Sequence, residues 1–408
     1  MMSRKILITG CLNLLFTLYS FSQASVVWSE LDTQDSRIPF ARWMFLNEKY
    51  VYYFRHQSGS GDHLYLNLYN TATLKRVTQT ELYPEFPKLK GRFGGMMPLK
   101  DKLLCFRYEY DNKSKGYVSY AKKITLDGEL DQSETKVAVI QGKANATSFS
   151  YKTTRNEDKV LLLENTEVND KNRTMVTLFD SNLKKNWNKT IPININKQRF
   201  KVKKYFIQKY IFTIDETVYL LVCFEKEDSS NQPRYFYNLY FFDPAKEELK
   251  EMPLEIDDKY ISISFDLNMK NEAVVMGTYS NSPPQNEPFF NGNNMGLEKK
   301  KFSVAGIFYF NAKMNQINAK AILPFESSFL NTIDEDDLTK DKKEIYTLSF
   351  DGMYVDENMN GYLLGQQYYN VKPGLHSAEI THGYARDTYV VKVKNDGTLA
   401  WEKSIRKS

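Results

Sequence analysis

Cysteine is nearly missing from this sequence. Only Cys11, Cys105 and Cys223 occur in 408 residues, too few for the disulfide framework that staples small secreted domains. Histidine is almost as rare, so metal or acid–base chemistry built on imidazole would have to draw on His56, His63, His376 and His382. After residue 21 no stretch approaches the roughly 20 apolar residues needed to cross a bilayer, and no transmembrane helix is expected beyond the leader. An excess of one charge is lacking too. The 55 basic and 50 acidic residues leave +5, too small and too evenly spread for a nucleic-acid footprint. The G-x-S-x-G elbow, the P-loop and the H-E-x-x-H helix are all absent, which removes three common routes to catalysis.

What the chain does have is aromatic residues, 28 Tyr and 26 Phe. Such side chains favour pleated, half-buried strands, so the chain reads as β-rich. Its beginning reads differently. Arg4 and Lys5 precede an apolar stretch from Ile6 to Phe21, and Ser22-Gln23-Ala24 forms a small-x-small cleavage signal. Residues 1–24 therefore read as a signal peptide, and the remainder as secreted or periplasmic. Its removal would take the excess charge to +3. Ile8-Thr9-Gly10-Cys11 resembles a lipobox, but only Ile6 to Ile8 precede it as apolar core, so lipoprotein anchoring is not favoured. Cys105 and Cys223 each sit inside an apolar run and are expected as unpaired core thiols.

A repeat organises residues 25–408. An apolar strand, a tight polar turn and a second strand recur six times. The copies are Leu64–Tyr69 turning at Asn70, Ala121–Leu126 at Asp127-Gly128, Met175–Phe179 at Asp180-Ser181-Asn182, Leu239–Phe242 at Asp243-Pro244, Ile307–Phe310 at Asn311-Ala312, and Tyr389–Val393 at Asn395-Asp396-Gly397. Such turn residues tolerate positive φ where a hairpin reverses. Upstream of each lies a second pair of strands, as in Trp43–Leu46 with Tyr50–Phe54 and Met353–Val355 with Tyr362–Leu364. Each unit thus reads as four antiparallel strands. The expected fold is all-β, a single β-propeller domain of six four-stranded blades, with a large β-sandwich as the alternative.

The segment Tyr389-Val-Val-Lys-Val-Lys-Asn-Asp-Gly-Thr-Leu-Ala-Trp-Glu-Lys403 resembles the outer hairpin of bacterial secreted propellers, including quinoprotein-like repeats. Val176–Ile191 is a looser copy. The resemblance implies the fold and carries no activity. Four tryptophans over six units are too few for the stacked tryptophan ring of quinoprotein dehydrogenases, and the sialidase-type Ser-x-Asp-x-Gly-x-Thr-Trp box is missing.

In a four-stranded meander the link between strands two and three lies at the same end as the link to the next unit. The long segments His56–His63, Tyr110–Lys115, Asn165–Arg173, Glu225–Arg234, Ser280–Lys301 and Tyr369–Asp387 fall there, as does the connection Glu326–Glu344. One loop-rich, functional face is expected. If six blades close a ring, His56, His63, His376 and His382, with Glu379 and Asp387, form a candidate set for a divalent metal such as zinc; no cofactor is otherwise expected. Asp356-x-Asn358-x-Asn360-Gly361 begins like a calcium loop, but Gln367 stands where a bidentate Glu is required, and a hairpin turn is the favoured reading. The acids Asp334, Glu335, Asp336 and Asp337 read as a solvated run. The expected function is non-enzymatic: a monomeric binding or scaffold module for a protein, peptide or glycan, with no nucleic-acid partner. The alternative is a glycan- or peptide-degrading hydrolase with acidic residues at the propeller channel.

Overall fold

The computed structural model describes residues 40–405 except 58–62, 83–91, 142–146, 155, 169–170, 228–234, 257, 269, 282–302, 314–315, 334–337, 340, 342, 347 and 372–381. The described strands form six four-stranded antiparallel sheets, each built from consecutive chain segments. Sheet 1 comprises β1 (Phe40–Leu46), β2 (Tyr50–Gln57), β3 (His63–Asn70) and β4 (Arg76–Glu81). Sheet 2 comprises β5 (Arg92–Pro98), β6 (Lys102–Asp111), β7 (Gly116–Thr125) and β8 (Thr135–Gln141). Sheet 3 has β9 (Thr147–Thr153), β10 (Lys159–Val168), β11 (Lys171–Asp180) and β12 (Lys185–Ile191), and sheet 4 has β13 (Val202–Phe212), β14 (Val218–Lys226), β15 (Tyr235–Asp243) and β16 (Glu248–Pro253). In sheet 5, β17 (Tyr260–Leu267) and β18 (Ala273–Ser280) are followed by the short β19 (Ser303–Val304), then β20 (Gly306–Lys313) and β21 (Gln316–Pro324). After α1 (Ser327–Leu330), β22 (Ile345–Tyr346) pairs with β19, and sheet 6 closes the chain with β23 (Leu348–Val355), β24 (Gly361–Val371), β25 (His382–Val393) and β26 (Leu399–Ile405).

The chain forms two compact units. Met1–Glu109 with Val118–Ala138 makes one, Tyr110–Tyr117 with Val139–Ser408 the other. In the first, sheets 1 and 2 meet through the stacked rings of Phe54 and Phe93, 4.6 Å apart, and through Tyr52 donating from its hydroxyl to the Leu126 carbonyl at 2.6 Å.

In the second unit, consecutive sheets pack face to face, and the second strands of sheets 4 and 5 are buried on both sides. On β14, Leu220, Val222 and Phe224 face sheet 3, while Tyr219, Leu221 and Cys223 face sheet 5. On β18, Ala273 and Val275 belong to the core shared with sheet 4, and Val274 and Met276 to the core shared with sheet 6. A strand covered on both faces has no polar side, which is why these segments read as unbroken apolar runs. The last strand of sheet 5, β21, keeps strict alternation from Gln316 to Pro324. Most aromatics serve this packing. Phe224, Phe236, Phe308 and Phe310 are all at most 1% exposed, and truncating such a ring typically costs about 3–5 kcal/mol. Tyr354, Leu364 and Trp401 of sheet 6 are exposed instead.

The tight turns share one design. Asp180 Oδ1 accepts from the amides of Asn182 at 2.8 Å and Lys184 at 2.9 Å. Asn268 Oδ1 accepts from Lys270 at 2.8 Å and Glu272 at 3.0 Å. Asp356 Oδ1 accepts from Asn358 and Asn360, both at 2.9 Å. Three residues after each acceptor the chain turns left-handed, at Leu183 (φ 66°), Asn271 (φ 62°) and Met359 (φ 66°). The side chain thus closes a turn whose bulge residue supplies the strand twist.

Several expected boundaries move, among them those of the segment Tyr369–Asp387, where Tyr369, Asn370 and Val371 pair with Tyr384, Gly383 and His382. The turn in sheet 5 falls after Lys313, because Asn311 and Ala312 remain paired to Ala319 and Ile317. The segment Asn165–Arg173 is not a long loop. Asn165, Thr166, Glu167 and Val168 pair with Thr174, Arg173, Asn172 and Lys171 as the arm of a hairpin.

Candidate functional site

The first strand of each sheet has one unpaired edge, and its carbonyls are open to other donors. In the second unit β13 lies beside β10 and β17, and β17 beside β23. Four of the six first strands carry an irregularity in register. It falls between Trp43 and Phe45, Phe93 and Gly95, Ile207 and Lys209, and Phe350 and Gly352. A bulge re-aims the side chains around it. On β13 the extra residue is Gln208, with Ile207 opposite Val222 and Lys209 opposite Leu221.

That bulge forms one wall of a cavity of ≈ 290 Å³ between sheets 3 and 4. Its lining is Phe149, Ser150 and Lys152 from β9, Leu163 and Asn165 from β10, and Ile207, Gln208, Lys209 and Tyr210 from β13. Tyr210 anchors it. Its hydroxyl donates to the Ser150 carbonyl at 3.0 Å and accepts from Ser150 Oγ at 2.9 Å, and burial raises its pKa. Lys152 Nζ donates to the Tyr210 carbonyl at 2.7 Å and lies 4.5 Å from the centre of its ring. Lys152 keeps contact with solvent, yet protein surrounds its ammonium closely enough that desolvation is the largest influence on it. This is the situation of a side chain pointing into a wet cleft. Desolvation, reinforced by Lys209, lowers the Lys152 pKa, and Asp266 on β17 opposes the shift. Desolvation also lowers Lys209, again against Asp266. The Lys209 side chain forms no hydrogen bond with the described residues.

The sequence reading did not single out these lysines. The signal was present in β13. Tyr205 faces the core shared with sheet 3 and Ile207 packs against it, and so do Tyr210 and Phe212. The switch from odd to even positions marks an extra residue between them.

Of the histidine-centred set, His376 and Glu379 lie outside the described residues, as do the side chains of His56 and His382. His63 is described, with Nδ1 2.7 Å from Glu81 Oε1 and its ring stacked on Tyr65. Asp387 is half-buried. Among the described residues no group of three or more His, Cys, Asp or Glu side chains could hold a metal ion. Asp334 to Asp337 also lie outside the described residues. The Asp356 carboxylate is occupied by its own turn, taking further bonds from Asn360 Nδ2 at 2.8 Å and Tyr362 OH at 3.2 Å. Cys105 and Cys223 are both buried free thiols. Burial pushes Cys223 up to about 12.

At the end of sheet 5 away from the tight turns, buried Glu344 ties three segments together. It accepts from the Asn281 amide and from Asn281 Nδ2, both at 3.2 Å, and from the Ser303 hydroxyl. The connection 326–344 therefore meets both flanks of the link between β18 and β19.

No protein-family profile matches the sequence, and no curated protein matches it. Solved structures similar to it include the β-propeller domain of the Trilobed protease from Pyrococcus furiosus, with 12% identity over 90% of this chain and 98% of that one, TM-score 0.42. Polysaccharide lyase Uly1 is similar at 11% identity over 94% of each chain, TM-score 0.44. Quinohemoprotein alcohol dehydrogenase from Comamonas testosteroni is similar at 11% identity over 91% of this chain and 63% of that one, TM-score 0.37. The chain is an all-β protein whose described strands form consecutive four-stranded antiparallel sheets.

Proposed function

We propose that this chain is a secreted or periplasmic six-bladed propeller that acts as a monomeric, non-enzymatic binding module for a protein, peptide or glycan. The observation that carries this reading is the lining of the cavity between β9, β10 and β13. Its charged members are two lysines, and its remaining polar members are amides and hydroxyls. Such a lining holds a ligand by hydrogen bonds and charge. Hydrolysis of a glycosidic bond instead calls on two carboxyl groups set across the substrate. The proposed ligand enters between the first strands of sheets 3 and 4, not through the long links alone. The test is a screen of the purified protein against glycan and peptide libraries, with product analysis of every hit. Saturable binding with the ligand recovered intact is expected; cleavage of a bound ligand, or no binder at all, overturns the reading.

A further inference from the structure

The cavity holds an imbalance of charge. Lys152 and Lys209 both reach it from neighbouring first strands, and the carboxylate acting on both is Asp266. Two cations against one anion leave one positive charge uncompensated where protein has displaced part of the water. Lys152 uses one of its three donors on the Tyr210 carbonyl, which leaves two. Lys209 uses none on the described residues. The bulge residue Gln208 adds a side-chain amide to the lining. Phe149, Leu163 and Ile207 supply the apolar part of the lining. A volume of ≈ 290 Å³ suits one sugar ring better than a stretch of folded partner.

We infer that this cavity recognises a uronic-acid residue of a glycan, its single carboxylate held by Lys152 and Lys209, its ring against Phe149, and its hydroxyls at Gln208 and Asn165. The inference rests on the binding-module reading and names its ligand class. An ammonium is a point charge with three donors, which suits a carboxylate approached from two sides. The bound anion would also favour both protonated lysines, so binding takes up protons and weakens as pH rises through the lysine range. The charged groups that bear on Lys152 are Lys209 and Asp266, and Asp266 is the one that bears on Lys209.

The experiment is calorimetric titration of the purified chain with tetragalacturonic and tetraglucuronic acid, their methyl esters, and tetraglutamate. Methyl esterification removes the charge and leaves the sugar. At least one free acid should bind, its ester at least tenfold more weakly. Lys209→Gln should weaken the acid by tenfold or more, Lys209→Arg should restore most of it, and Lys201→Gln, at an exposed lysine outside the cavity lining that pairs with Glu227, should change nothing. If Lys209→Gln does not fold by circular dichroism, the acid–ester comparison and Lys209→Arg decide alone. Equal binding of acid and ester, or wild-type affinity in a folded Lys209→Gln protein, overturns the uronate inference while leaving a binding module standing. Binding of tetraglutamate without either uronide overturns it in favour of an acidic peptide, and failure of all five probes overturns it as well.

Discussion

Lys152 on the first strand of sheet 3 donates from Nζ to the main-chain carbonyl of Tyr210 on the first strand of sheet 4, 2.7 Å away. The bond joins two sheets whose backbones do not pair. It exists because a first strand leaves one edge without a ladder partner, and a bulge beside Tyr210 turns that edge toward the cavity.

Tyr210 is the hinge of this arrangement, and its hydroxyl bonds Ser150 twice. Tyr210→Phe should lower the unfolding free energy by about 1 kcal/mol, the net worth of a typical hydrogen bond, since the partner Ser150 is exposed to water. Urea denaturation measures it. An unchanged midpoint would mean that water replaces the hydroxyl without loss.

Glu164 on β10 is 8% exposed. Burial pushes its carboxyl up to about 7, against the pull of Arg173. The folded-state value lies above the unfolded one, near 4.5, so deprotonation is disfavoured in the fold. Stability from this group is complete below about pH 4.5 and is lost as pH rises toward about 7. Glu164→Gln should therefore match the wild type at about pH 4 and exceed it at about pH 8, by on the order of 3 kcal/mol at most. Denaturation curves at the two pH values check this; a gain of equal size at both would refute the assignment to ionisation.

The Asp356 turn makes a second pH prediction of opposite sign. Burial works against its charge, but bonds from Asn360, Asn358 and Tyr362 hold its carboxyl below the ordinary aspartate value. Asp356→Ala should cost about 2 kcal/mol at neutral pH, since hydrogen bonds to a charged acceptor are lost. The deficit should shrink as pH falls through the depressed folded-state pKa, where the wild type loses the same charge. Millimolar calcium should leave the wild-type melting temperature unchanged, and a rise of several degrees would restore the calcium-loop reading.

Gly277 sits at the middle of β18, where an alanine Cβ would fall on the Ser262 carbonyl oxygen and 2.8 Å from the Phe308 ring. The obstructing atoms belong to a paired strand and a packed core, so neither yields cheaply. Gly277→Ala should cost about 3 kcal/mol, read as a large fall in thermal midpoint. Retention of the wild-type midpoint would show that β17 and the Phe308 ring of β20, which flank β18 within sheet 5, can shift to admit a methyl group.

The sequence carried most of the fold because its signals are local. Period-two alternation in β21, two-sided apolar runs in β14 and β18, and Asp or Asn at the start of the turns each reflect the immediate surroundings of a few residues. The shifted turn after Lys313 and the paired arm at Asn165–Val168 were missed for the opposite reason: Asn311 and Asn165 look like turn formers, and only their ladder partners on adjacent strands hold them extended.

The aromatic richness and scarcity of cysteine, histidine and net charge determined that this is an all-β chain whose rings are spent mainly on packing between sheets. The tertiary structure alone decided that Lys152 and Lys209, 57 residues apart in sequence, share one cavity with Asp266 acting on both. A lysine on open surface and a cavity-lining lysine have the same local sequence signature; desolvation and charge coupling arise only when separate strands are brought side by side.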